Sequence, residues 1–267
     1  MSILQAIILG IIQGLTEFLP VSSSGHLELG KAMFDLHLDG ADSLTFDVIV
    51  HSGTALSTIV VFRKDIANII KGLIKFKWND EWKFAVNVLI SMVPAAFIGL
   101  LFQDQIEFLF ENQILLVGGM LIITGLLLFL ADRAKRTERK VKKADAIIIG
   151  IAQAIAILPG ISRSGSTIAV ALVLGVSREK AAKFSFLMVL LPIIGASLLK
   201  IKKYIEFPDL EPEINTLTLF LGFIAAFISG YLACRWMVKI VKKGKLIYFS
   251  VYCFILGLTA ISYSYML

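Results

Sequence analysis

The same polar interruption occurs twice in this chain, and it limits the fold more than any other feature. Residues 13–26 read QGLTEFLPVSSSGH and residues 153–167 read QAIAILPGISRSGST. Gln13 matches Gln153 at an offset of 140 residues, which also aligns Ala6 with Ala146, Gly10 with Gly150, Ser22 with Ser162, Ser24 with Ser164 and Gly25 with Gly165. The prolines are staggered by one residue. An internal repeat has to be read first, because missing it misassigns the architecture. The copies part where chemistry would care: Glu17 corresponds to Ile157, Ser23 to Arg163 and His26 to Ser166. One copy brings an acid and an imidazole, the other a fixed positive charge.

Each interruption closes an apolar run too short for a bilayer. Ile3–Phe18 reaches roughly 24 Å at ~1.5 Å per residue, against a hydrocarbon core of ~30 Å. Pro20 opposes continuation of that helix. The leg that follows, residues 25–34, is shorter and carries Glu28 and Lys31. Together they predict a re-entrant helical hairpin with the serine turn at its tip, a break tolerated only where protein or a water-filled cavity surrounds it. Residues 146–158 and 166–176, separated at Pro159-Gly160, predict a second hairpin.

The rest of the chain fits a membrane. It is 57% hydrophobic and 17% charged, with a mean hydropathy of +0.84, far from the balance of a soluble domain. The net charge of +6 does not imply nucleic acid, because the basic residues cluster between apolar runs, where they orient a membrane protein. Cys234 and Cys253 lie in or beside apolar runs and read as buried structural thiols, not a disulfide. The N-terminal run lacks a basic flank, contains Gln13 and Glu17, and recurs internally, so it is not expected to be a cleaved signal peptide.

Spans are predicted over residues 46–62, 84–102, 114–131, 184–199, 216–234 and 246–267. The connector 63–83 is basic and carries Trp78 and Trp82, which suit an interface; 103–113 is acidic; 133–143 and 235–245 are basic; and 200–213 contains Lys200, Lys202 and Lys203. Ser177 is the expected N-cap of the helix after the second hairpin. Each half is then one hairpin plus three spans, an all-α integral membrane fold in a single domain over 1–267 with inverted repeats at about 1–131 and 145–267. Three is odd, so the second half starts on the opposite side. Placing the three basic connectors in the cytoplasm puts both termini outside and lets the hairpin tips meet near the midplane. The lysines at 200–203 are the one mild exception.

The two tips bring together Gln13, Glu17, Ser22, Ser23, Ser24, His26, Ser162, Arg163, Ser164 and Thr167. Polar and ionisable groups in lipid are expensive and point to function. Gln13 and Glu17 are four apart, so they share a helix face and could hold a divalent cation through oxygen. Arg163 between serines at a helix start suits a phosphate. A hydroxyl, an imidazole and a carboxylate opposite it suit nucleophilic or acid–base chemistry. Blander readings stand beside these. Serines in membrane helices often bond backbone carbonyls. Gly10, Gly14 and Gly150 serve close helix packing. Arg178, Lys180 and Lys183 anchor a helix end. Asp47 and His51, on one face of a span, make an internal polar contact more readily than a pair that supports the site or gates it.

These residues carry a family resemblance. EFLPVSSSGH after QGLT, PGISRSGST, and FSFLMVLLP at 184–192 closely resemble the undecaprenyl-diphosphate phosphatases, membrane enzymes linked to bacitracin resistance, along essentially the whole chain. The family's first motif is Glu or Gln, three residues, then Glu, matched here by Gln13 and Glu17. Its second is proline-glycine-x-serine-arginine-serine, matched by residues 159–164, with Thr167 beyond. The resemblance implies hydrolysis of undecaprenyl diphosphate to undecaprenyl phosphate and inorganic phosphate, aided by Mg2+ or Ca2+ at Gln13 and Glu17, to recycle the lipid carrier of cell-wall synthesis. Members with Glu at the first position have paired carboxylates; this chain has Gln13. On that resemblance Ser23 is the nucleophile or a phosphate contact, and His26 its acid–base partner or itself the nucleophile. Glu17 orients the histidine or binds metal, and Arg163 stabilises the transferring phosphoryl group. Ser22, Ser24, Ser162, Ser164 and Thr167 bind substrate. Water remains open as the nucleophile, and the oligomeric state is not fixed, with room for a homodimer. The site is expected to open to the outside of a bacterial inner membrane. A flippase of polyprenyl phosphate is the competing class, since inverted repeats with broken helices are transporter architecture; a purely structural membrane protein fits the buried charges poorly.

Overall fold

The computed structural model describes residues 1–36, 38, 40–102, 109, 113–206 and 214–265, and twelve helices are defined among them. The first half holds α1 (Ile3–Phe18), α2 (Ser23–Met33), α3 (Gly40–Val61), α4 (Arg63–Ile74), α5 (Asp80–Leu101) and α6 (Ile114–Asp132). The second holds α7 (Lys143–Ile155), α8 (Arg163–Val173), α9 (Arg178–Met188), α10 (Leu190–Glu206), α11 (Thr216–Lys243) and α12 (Ile247–Ser264). α3 (over Asp42–Val61), α5, α6, α11 and α12 are long and apolar enough to cross a membrane. The short helices α1 and α2, and α7 and α8, are the legs of the two expected hairpins.

One expectation needs correction. The span expected at 184–199 is not one helix: α9 ends at Met188 and α10 begins at Leu190. Pro192 accounts for the break, because it has no N–H to offer the Met188 carbonyl and its ring crowds that oxygen. The basic connector 63–83 is largely helical. Its first twelve residues form α4, and Asn79 then caps α5 by accepting from the Trp82 amide at 2.9 Å. Trp82 turns inward and donates its indole N–H to the Leu73 carbonyl, whereas Trp78 is exposed. Most of the expected connectors 103–113 and 200–213 lies outside the described residues, although α10 continues into the second. Ser177 sits at the N-cap of α9, but its hydroxyl makes no capping bond.

The halves exchange partners. α1 packs chiefly against α11, and α7 packs chiefly against α5. Glycines make both contacts close. A Cβ on Gly10 would lie 2.4 Å from the Gly222 carbonyl oxygen, one on Gly14 2.0 Å from Ser229 Oγ, and one on Gly150 2.6 Å from the Ser91 carbonyl oxygen. Cys234 and Cys253 are both buried free thiols.

The distribution of polarity is inverted relative to a soluble protein. Gln13, Asn87, Ser91, Thr124 and Gln153 are buried, whereas Leu89, Val93, Phe97 and Leu100 on α5, and Phe220, Ile228 and Leu232 on α11, are exposed. Apolar faces of this extent belong against lipid. Buried innermost are α8 and α9, through Ile168, Ala169, Phe184, Phe186 and Met188. The second hairpin is therefore anchored by apolar packing on its far leg and keeps its polar end for the first.

Candidate active site

The hairpin tips touch. A Cβ on Gly25 would come 3.3 Å from Gly160 Cα, and one on Gly165 would come 3.3 Å from Pro20 Cβ. Ser164 Oγ donates to the Leu19 carbonyl at 3.3 Å. Both tips use one device to start their second leg: Ser22 Oγ accepts from the Gly25 amide, and Ser162 Oγ from the Gly165 amide. These serines are N-caps, and the helix N-termini they begin present backbone N–H groups to the space between the tips.

The turns differ in strain. In the second hairpin the left-handed residue is Gly160, at φ +92°. In the first it is Ser22, at φ +70°, a conformation uncommon for a residue with a side chain. His26 holds that turn. Its backbone N–H and its ring Nδ1 both meet the Ser22 carbonyl oxygen, at 3.1 and 2.7 Å. Its Nε2 lies 2.7 Å from the Tyr252 hydroxyl, and the two rings stack.

Glu17, from the last turn of α1, is buried at the meeting point. Its Oε1 accepts from Arg163 Nη2 in an ion pair across the two hairpins. Its Oε2 accepts from Ser23 Oγ at 2.7 Å and from Gln13 Nε2 at 3.0 Å. His51 Nε2, from α3, stands 3.7 Å from the same oxygen. Two valences remain open. Arg163 Nη1 and Gln13 Oε1 are buried and have no partner among the described residues. A carboxylate only accepts, so the Gln13 amide nitrogen must face Glu17 and its carbonyl must face away. A donor and an acceptor left open in this way are costly unless a ligand completes them.

A cavity of about 220 Å³ lies here. Glu17, Ser23, Ser24, His51, Ser162, Arg163 and Ser164 form its polar wall, and Ala156, Ile157, Ile161, Val189 and Ile193 its apolar wall. The structure thus brings together Gln13, Glu17, Ser23, Ser24, Ser162, Arg163 and Ser164. Ser22 is spent on capping. Thr167 Oγ1 bonds the Arg163 carbonyl at 2.8 Å and Ser185 Oγ at 2.6 Å, one turn behind the tip. His26 does not line the cavity. The residue that sequence reasoning weighed only as a supporting or gating partner is His51. Asp47 and His51 do touch, but through the Asp47 backbone carbonyl; the Asp47 carboxylate instead joins Glu28 and Ser43 around Lys31 Nζ, at 3.0, 3.0 and 2.8 Å. The available signal was an ionisable group inside a span; what it faced across helices was not in the spacing.

Fold and cavity together define an all-helical, multi-pass membrane protein whose two hairpins enclose a charged pocket. Comparison with known proteins narrows this. Residues 6–259 match the family described as bacitracin resistance protein BacA, and the chain belongs to that family. It is 55% identical over 266 residues to the undecaprenyl-diphosphatase of Christiangramia forsetii, covering 99% of both chains. It is 51% identical to that of Parabacteroides distasonis, covering 98% of each, and 39% identical to that of Methanobrevibacter smithii, covering 97% of this chain and 96% of the relative.

Proposed function

We propose that this chain is an undecaprenyl-diphosphatase, releasing inorganic phosphate from undecaprenyl diphosphate and leaving undecaprenyl phosphate. In that role it recycles the lipid carrier for cell-wall synthesis and confers bacitracin resistance. The observation that carries the reading is the convergence of Ser23 and Arg163 on one buried carboxylate, beside a cavity with an unpaired guanidinium nitrogen. A cavity of about 220 Å³ admits a diphosphate head and leaves the polyprenyl chain to the lipid.

The terminal phosphoryl group binds between the helix starts of α2 and α8, where backbone N–H groups, Ser24, Ser162 and Ser164 meet its oxygens. Arg163 offers Nη1 to the equatorial oxygens, and charge builds there as the anhydride bond opens. Ser23 Oγ attacks phosphorus and its proton passes to Glu17 Oε2, already in contact. Undecaprenyl phosphate leaves. Water then cleaves the phosphoserine. Ser23 is favoured over His26 as nucleophile because it lines the cavity and points at a base, whereas His26 has both ring nitrogens engaged.

The residues fit a divalent cation. Among the described residues no three His, Cys, Asp or Glu cluster as a metal site, so an all-protein cage is not the design. The orphaned Gln13 Oε1 is one hard oxygen that, with substrate phosphates, would suit Mg2+ or Ca2+, and Glu17 would join it by giving up its contact with Gln13 Nε2. Bound there, the cation would offset phosphate charge. We further propose that the repeats are inverted, that the basic connectors face the cytoplasm of a bacterial inner membrane, and that the cavity opens to the outer side.

Phosphate release from polyprenyl diphosphate by the purified chain in detergent tests the function. Release that depends on Ser23 and Arg163 is expected. No release would overturn the reading and return the hairpins to transport of polyprenyl phosphate.

A further inference from the structure

We propose that His51 is a catalytic residue of this site: the base that takes a proton from the water attacking phosphorylated Ser23. The proposal rests on the phosphatase reading and completes its second half. His51 lies on α3 and forms part of the cavity wall. Its Nδ1 is 2.7 Å from the Asp47 carbonyl oxygen. A carbonyl only accepts, so Nδ1 carries the hydrogen, and the neutral ring has its lone pair at Nε2. Nε2 faces Glu17 Oε2 at 3.7 Å, the same oxygen that accepts from Ser23 Oγ at 2.7 Å. The separation exceeds a hydrogen bond, so the carboxylate does not use that lone pair.

The two-step chemistry needs a second base. In the first step Glu17 gains the Ser23 proton, and it must keep that proton to return it to Oγ when the serine leaves. The attacking water therefore needs another acceptor. His26 is held on Ser22 and Tyr252, and His51 is the only imidazole among the described residues lining the cavity. In the second step the water oxygen bonds to phosphorus and the phosphorus–Oγ bond breaks. One water proton passes to His51 Nε2, and the Glu17 proton passes to Oγ. Inorganic phosphate departs and His51 releases its proton to solvent.

The charged groups facing His51 are Glu17 from α1 and, behind it, Arg163 from α8. On its own helix the Asp47 carboxylate is turned to Lys31 of α2. α10 brings Ile193 to the cavity and Ser197 to Ser52, and α11 meets α3 through the Phe227 carbonyl at Ser57.

The test uses the purified chain in detergent and polyprenyl diphosphate labelled in its terminal phosphate, with wild type, His51→Gln and Ser23→Ala compared. His51→Gln is expected to lower kcat by about 10²-fold or more, the scale of a lost general base. It should still release a burst of polyprenyl monophosphate equal to the enzyme present and should hold acid-stable label, which Ser23→Ala does not. Unchanged kcat in His51→Gln would overturn the proposal. So would a slow variant with neither burst nor label, since its defect then precedes the second step. Failure of the phosphatase reading looks different: wild type releases no phosphate, or Ser23→Ala keeps full turnover, and the proposal falls with it.

Discussion

A buried carboxylate stripped of its cation, or a buried cation stripped of its carboxylate, is left as an uncompensated charge. Glu17 and Arg163 are such a pair, and they are also the groups that meet Ser23 and the cavity. Glu17→Gln keeps the shape and two hydrogen bonds but removes the proton acceptor for Ser23. Turnover is expected to fall by about 10²-fold or more, on the scale of general-base loss, with the variant still monodisperse. Gln13→Glu is expected to be tolerated where a divalent cation bridges the two carboxylates, since it exchanges the Gln13 donor 3.0 Å from Glu17 Oε2 for a second ligand oxygen. Steady-state hydrolysis across a divalent-cation titration checks both; wild-type turnover in Glu17→Gln would remove the acid from the chemistry. Arg163→Lys keeps the charge but loses the fork that reaches Glu17 with one nitrogen and the cavity with another. A loss of about 10²-fold in kcat/KM is expected, and a larger one in Arg163→Ala.

At the scale of helices, the short runs and the serine turns were legible because they break the apolar pattern, and the hairpins stand where the repeat put them. The cut between α9 and α10 was not read, although Pro192 was in plain view, because the surrounding FSFLMVLLP is apolar throughout and a hydropathy reading passes over it. The roles of His26 and His51 were not legible for a different reason. Each is decided by a neighbour far away in the chain, Tyr252 for one and Glu17 for the other, and no local spacing carries that. Glycine placement was readable as close packing, and it makes a testable claim about how the site is held. Gly14 adjoins Gln13 on α1, and a Cβ there would lie 2.0 Å from Ser229 Oγ and 2.6 Å from the Ala226 carbonyl oxygen on α11. Gly14→Val must push α1 away from α11 and displace Glu17. Overpacking of this kind costs roughly 1–3 kcal/mol, so the melting temperature and activity of the detergent-solubilised protein should fall together. Gly99→Ala, where a Cβ meets nothing within 4 Å, should change neither. A Gly14→Val protein as stable and active as wild type would mean that the α1–α11 contact does not position the site.

At the scale of the molecule, the exchange of α1 and α7 between halves makes the cavity a property of the whole chain. The first leg of each hairpin has its chief packing partner in the other half, and neither half alone holds both Glu17 and Arg163. The proposed orientation of this body in the bilayer rests on charge. Lys and Arg concentrate in the connectors around α4 and between α6 and α7, and in the last turns of α11, and such segments are retained on the cytoplasmic side. If the two halves are inverted, the start of α11 lies on the opposite side from the α6–α7 connector. Arg136 in that connector and Thr216 at the first turn of α11 are both exposed, so each can report its side. The two native thiols, Cys234 and Cys253, are buried and should stay silent to a membrane-impermeant maleimide. Thr216→Cys should then label in cells whose outer barrier alone is permeable, while Arg136→Cys should label only after the inner membrane is opened. That outcome places the basic connectors in the cytoplasm and leaves the cavity facing outwards, where lipid diphosphate released on the outer leaflet would meet it. Labelling in the reverse order would turn the molecule over and put the phosphatase mouth in the cytoplasm; labelling of both from one side would break the inversion itself, because an odd number of crossings could no longer separate the two positions.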